Sequence, residues 1–135
     1  MTEIAYGDLL AGFTPALPYT MDTAEGAPRA AGVHVVLAGD TVLYVGRTGN
    51  LRDRLRQHLT GNRGSSVLHD QIGQELDRTG PVATASDIAH WLNRCVVRWK
   101  ETENPEAEKE ALVLALTPRF NRQVPRPRPA TGQNG

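Results

Sequence analysis

Arg54 and His58 lie four residues apart in the run Asn50 to Leu59. Residues at that spacing share one face of a helix, so a planar guanidinium able to clamp phosphate oxygens would project beside an imidazole able to carry a proton. Around this pair the charge is uneven. Five arginines (Arg47, Arg52, Arg54, Arg56 and Arg63) stand against one acid, Asp53, whereas the whole chain balances fifteen basic against fifteen acidic residues. A GC-rich coding sequence accounts for an arginine-rich composition but not for this clustering, which reads as a stripe for an anion. A second set of charges, Glu101 to Glu110, is mainly acidic.

The elements that would hold these groups are readable from pattern. VHVVL and TVLYV are two β-rich runs separated by Ala38-Gly39-Asp40, a hairpin signature. Asn50 offers a helix N-cap, and Leu51, Leu55 and Leu59 recur at i+4, predicting a helix from about Leu51 to Leu59. The serines of GNRGSS cap a second helix with Val67, Leu68, Ile72 and Leu76 on its buried face. After the break at Gly80, Ser86 caps a third through Ile88 and Leu92, and CVVRWK follows as a strand. Pro105 opens a last helix, with Ala107, Ala111, Leu112, Leu114 and Ala115 as its apolar contacts, and Pro118 ends it. Trp91 and Trp99 are expected in the core.

The hairpin carries GVH at 32 to 34 and YVG at 44 to 46, followed by NLRDRLRQH and, much later, an acidic helix ending in TPRFN. In order and spacing this resembles the GIY-YIG nuclease family over residues 31 to 122. The resemblance implies a GIY-YIG-like α+β fold, a small three-stranded antiparallel sheet with flanking helices. It also implies a divalent-metal-dependent endonuclease that hydrolyses DNA phosphodiester bonds with Mg²⁺ or Mn²⁺. Tyr44, Arg54, His58 and Asn121 fall on the family's site positions, and His34 replaces the first-motif tyrosine. Aligned on Asn121 and the helix face, the metal-binding glutamate falls near Lys109, so that Glu108 or Glu110 serves only after a one-residue shift. One carboxylate suffices for Mg²⁺, which keeps most of its waters. An imidazole near ~6.5 accepts a proton at neutral pH more readily than a phenol near ~10, so His34 can act as the base. Arg47, Arg52, Arg63 and Ser65 are the candidate contacts to the DNA backbone. The rival reading is a catalytically inactive nucleic-acid-binding or protein-interaction module on the same scaffold.

Register supplies a geometric condition. A plain two-residue turn at Gly39-Asp40 would put His34 and Tyr44 on opposite sheet faces, so a shared site demands a three-residue loop or a bulge. Residues 1 to 30 read as an irregular arm with one short helix near Gly7 to Gly12, and 123 to 135 as a disordered tail.

With 135 residues, 39% of them hydrophobic, the chain suits one domain with one core. It has no apolar run of the ~20 residues that span a membrane, and its start lacks the pattern of a secretory signal, so a cytoplasmic protein is expected. Cys95 is the only cysteine, which excludes an intramolecular disulfide and a multi-thiolate zinc site; it reads as a buried thiol. So small a chain would gain targeting by dimerising or from a partner protein. Strand state and target sequence are not written in phosphate contacts.

Overall fold

The structure, a computed structural model, describes residues 8–121. Strand β1 (Leu17–Pro18) and helix α1 (Met21–Glu25) precede the hairpin β2 (Gly32–Ala38) and β3 (Thr41–Thr48). Helices α2 (Leu51–Thr60), α3 (Val67–Asp77) and α4 (Ala85–Asn93) follow, then β4 (Val96–Glu101), α5 (Pro105–Leu116) and a 3-10 turn, Arg119–Asn121. The fold is α+β, with an antiparallel sheet flanked by helices. The sheet has four strands rather than three, in the order β1-β4-β2-β3. The extra strand is two residues long and escaped pattern reading because no alternation can develop over Leu17 and Pro18.

The hairpin solves the register condition by the second route. Its turn has two residues, with Ala38 opposite Thr41 and Gly39 at φ 59°, a backbone position that glycine adopts without cost. A bulge then inserts Leu43, so that Leu37 pairs with Val42 but Val36 with Tyr44, and His34 with Gly46. The extra residue turns Tyr44 onto the face that carries Val36 and His34.

The two faces of the sheet bury separate clusters. Val36, Leu43, Tyr44, Val97 and Trp99 pack beneath Leu51, Leu55 and Leu59 of α2, Leu68 and Ile72 of α3, and Ile88 and Leu92 of α4. On the other face Val33, Val35, Leu37, Val42 and Val45 meet Leu112 of α5 and Leu10. The segment before the hairpin is therefore not an irregular arm within residues 8–30. Tyr19 is fully buried and its hydroxyl donates to the Leu55 carbonyl at 2.9 Å, and Ala24 and Ala27 join the first cluster. Asp8 and Leu9 are helical, while Gly7 and the proposed tail lie outside the described residues.

Caps follow the expected chemistry with one change. The Asn50 and Ser66 side chains accept from the N–H groups of Asp53 and His69. The third helix is capped by Thr84 instead of Ser86, because Asp87 returns a bond to the Thr84 N–H and completes a capping box. In α5 the apolar contacts also differ: Leu112 is buried and Val113 and Leu116 pack beside it, whereas Ala107, Ala111, Leu114 and Ala115 are exposed, Leu114 at 75%. Cys95 is buried, and burial pushes its thiol up to about 11. No helix among the described residues is long and apolar enough to cross a membrane.

Candidate active site

Four sequence-selected residues meet on the face of the sheet covered by α2. His34 on β2 and His58 on α2 are both 0% exposed, and their Nε2 atoms are 3.0 Å apart. The Tyr44 ring lies edge-on to His58 at 5.6 Å and tilted to His34 at 6.0 Å. Gly46 makes the room: a Cβ there would come within 2.6 Å of the His34 ring and 2.8 Å of Tyr44. Arg54, one turn before His58, donates from Nη1 to the Ser65 carbonyl at 3.0 Å and to the Gln57 side chain.

The imidazoles form a chain whose proton positions are constrained. His69 Nδ1 is 2.8 Å from the His58 carbonyl, which can only accept, so the His69 proton sits on Nδ1. Ser66 Oγ accepts the His69 N–H at 3.0 Å and lies 2.7 Å from His58 Nδ1. The contact between the two Nε2 atoms requires one proton shared between two neutral rings. His34 Nδ1, at the far end, is buried with no hydrogen-bond partner. In one tautomer it is a bare lone pair, in the other an N–H without an acceptor.

Burial sets the charge states. It lowers His34 to about 3, helped by the Arg54 and Lys109 cations, and lowers His58 well below the usual histidine range, with His34 and Arg54 adding to the effect. Burial raises the Tyr44 phenol, against the pull of the Arg54 guanidinium beside it. At neutral pH the site thus holds neutral imidazoles, a protonated phenol and a guanidinium.

The remaining expected residues go elsewhere. Asn121 turns its amide onto the open edge of β3, accepting from the Val45 N–H at 2.7 Å and donating to the Val45 carbonyl at 2.9 Å. Arg63 is not a free backbone contact: it is stapled to Asp70 and Asp77, both at 2.8 Å, which neutralise it. Ser65 closes its own loop through bonds with the Asn62 backbone. Arg52 donates to the Ala27 carbonyl at 2.8 Å, and Arg47 is exposed beside a groove lined by Glu106 and Glu110. His69 is also buried, behind His58. Its place in the 69, 72, 76 spacing with Ile72 and Leu76 was the available signal.

Neither candidate metal ligand joins the cluster. Glu108 accepts from the Thr102 hydroxyl at 2.6 Å and pairs with Lys100 at 3.0 Å, and these two hold its carboxyl below the usual range. Glu110 is exposed. Between them lies half-buried Lys109; burial and then Arg47 and Arg54 lower its ammonium, against the pull of Glu106. Among the described residues no three His, Cys, Asp or Glu are grouped to hold a metal. Mg²⁺ and Mn²⁺ favour oxygen ligands, and this site presents imidazoles, a phenol and a guanidinium. The residues present do not fit a divalent ion.

No protein-family model and no curated protein matches the sequence. Solved structures do. The chain is similar in fold to a GIY-YIG nuclease domain. The structures are of the GIY-YIG N-terminal endonuclease domain of UvrC from Thermotoga maritima. A tyrosine-to-phenylalanine point mutant bound to the catalytic divalent cation is 19% identical, with a TM-score of 0.48 over 76% of this chain and 93% of that one. An asparagine-to-alanine mutant is 17% identical, with a TM-score of 0.46 over the same shares, and the magnesium-bound form is 17% identical, with a TM-score of 0.40 over 75% and 93%.

Proposed function

We propose that this GIY-YIG-like chain is an endonuclease that hydrolyses a phosphodiester bond of DNA where Tyr44, Arg54 and the imidazole pair converge. One observation carries the reading: a neutral proton acceptor, a protonated donor and a guanidinium without a carboxylate partner among the described residues lie together on one sheet face. Phosphodiester hydrolysis needs those three functions. Arg54 would hold the non-bridging oxygens. Water would bond to phosphorus as its proton passes to the His34–His58 pair, while the bond from phosphorus to the leaving sugar oxygen breaks and that oxygen takes the Tyr44 proton. Passing the shared proton along the pair spreads a charge that neither buried ring holds well alone.

A second reading, a nucleic-acid-binding module without cleavage, is favoured by the complete burial of both imidazoles. The test is a screen of single-stranded, duplex and branched DNA, with RNA alongside, with and without Mg²⁺ or Mn²⁺. The proposal expects wild type to cut DNA, and His34→Ala and Arg54→Ala to lose cleavage while remaining folded by circular dichroism. Binding without cleavage under every condition selects the module.

A further inference from the structure

We infer that Ser66 is a positioning residue for the proposed hydrolysis: its hydroxyl oxygen accepts the His58 Nδ1 proton, which leaves His34 Nδ1 as the lone pair that meets the water. The inference rests on the endonuclease reading and names the atom of the imidazole pair that takes the proton. Ser66 is 1% exposed and caps α3, where its Oγ accepts the His69 N–H at 3.0 Å. A hydroxyl oxygen has two lone pairs, and His58 Nδ1 stands 2.7 Å away to take the second. The loop that brings Ser66 there is held from α2 by Arg54, whose Nη1 donates to the carbonyl of the preceding residue, Ser65.

Two neutral rings carry two protons on four nitrogens, and one of the two lies between the Nε2 atoms, 3.0 Å apart. The other sits on His34 Nδ1 or on His58 Nδ1. On His34 it is a buried N–H without an acceptor, and the pair has no lone pair open to a water. On His58 it has Ser66 Oγ, and His34 Nδ1 is free to act as the base. As water bonds to phosphorus, its proton goes to His34 Nδ1. The shared proton then moves from His34 Nε2 toward His58 Nε2, and the His58 Nδ1–H keeps its acceptor while the charge spreads over both rings. Ser66 neither gains nor loses a proton. Its oxygen does for His58 what an orienting acceptor does for any imidazole base: it fixes which nitrogen carries the proton.

The experiment uses the full chain, isotope-labelled at the histidine nitrogens, and the DNA that wild type cuts in the screen above. Multiple-bond proton–nitrogen NMR spectra assign the tautomer of each ring, and initial rates separate kcat from KM. Wild type is expected to carry the His58 proton on Nδ1 and the His34 proton on Nε2. Ser66→Ala should lower kcat by about tenfold at unchanged KM, the loss of one hydrogen bond to a charged group, and move His58 away from the Nδ1–H form. Ser66→Thr, which keeps both hydroxyl and cap, should restore rate and tautomer. Thr84→Ala, which removes a cap from α4, should alter neither. A wild-type His58 without a proton on Nδ1, or equal kcat for Ser66→Ala and Thr84→Ala, overturns the inference. Wild type that cuts no DNA but shows the expected tautomers, lost in Ser66→Ala, sinks the endonuclease reading alone and leaves the hold of Ser66 on the pair standing.

Discussion

Gly46 and His34 face each other across the hairpin, and the imidazole occupies the space a side chain at 46 would need. Gly46→Ala should therefore cost ~1–3 kcal/mol of stability, the usual range for overpacking a filled site, with cleavage impaired beyond any folding loss because the ring must shift. Denaturant unfolding and initial rates measure the two effects separately. Acid titration offers a second prediction. Unfolded histidines titrate near ~6.5, whereas folded His34 is held at about 3 and His58 is also lowered by burial. Below ~6.5 the unfolded chain takes up protons that the folded one refuses. Stability should then fall as pH drops from ~6.5 toward about 3, by ~1.4 kcal/mol per pH unit for each such ring. Urea unfolding across this range should show a shallower acid limb for His34→Gln; an unchanged limb would refute the assignment. At this scale the Arg54–His58 pair was readable from helix spacing and Tyr44 from the family resemblance, and the rings of Tyr44 and His58 do meet. The carboxylate was not readable. One residue along a helix turns the side chain by about 100°, so Glu108 and Glu110 on either side of position 109 cannot take its direction.

Ser66 serves two elements at once, capping α3 through the His69 N–H and holding His58 Nδ1 on α2. Thr84, at the start of α4, caps through the Asp87 N–H and is exposed. Thr84→Ala should cost ~1 kcal/mol, an ordinary cap, and Ser66→Ala ~2–4 kcal/mol, because a buried imidazole nitrogen also loses its partner. Comparison of the two unfolding free energies in one protein isolates the His58 contribution; equal losses would contradict it. Helix existence was readable from leucine spacing and capping residues. The buried face of α5 was not, since Ala107, Ala111 and Ala115 fit a core or a surface equally well, and only packing on β3 decides for Leu112 over Leu114. Likewise, Thr84 and Ser86 are both competent caps; what separates them is the reach of Asp87.

Because the molecule as a whole carries no formal net charge, attraction to a polyanion must come from local groups. Arg54, the phosphate-holding cation of the proposed function, should reduce the salt slope of DNA affinity by about one when replaced by alanine. Arg63→Ala should leave that slope unchanged and lower the melting temperature instead, since its charge is spent on Asp70 and Asp77. Fluorescence titrations at several salt concentrations check both. The strand pattern located the hairpin and the resemblance over residues 31 to 122 nominated site residues, but neither reached the packing of residues 8–30. That stretch is short of periodicity, yet Leu10 and Tyr19 are buried by the two separate clusters. Deletion up to residue 30 should expose both clusters and abolish cooperative unfolding.

The Asn121 amide, spent on both main-chain groups of Val45, has a consequence for how copies of this chain meet. Exposed sheet borders are templates on which a neighbouring chain can add a strand. Here one border is plugged at Val45 by a side chain imitating a strand, and the other ends in two residues, one of them Pro18, which has no N–H to offer. Asn121→Ala should reopen the first border, and light scattering during prolonged incubation should then register self-association that the intact chain resists.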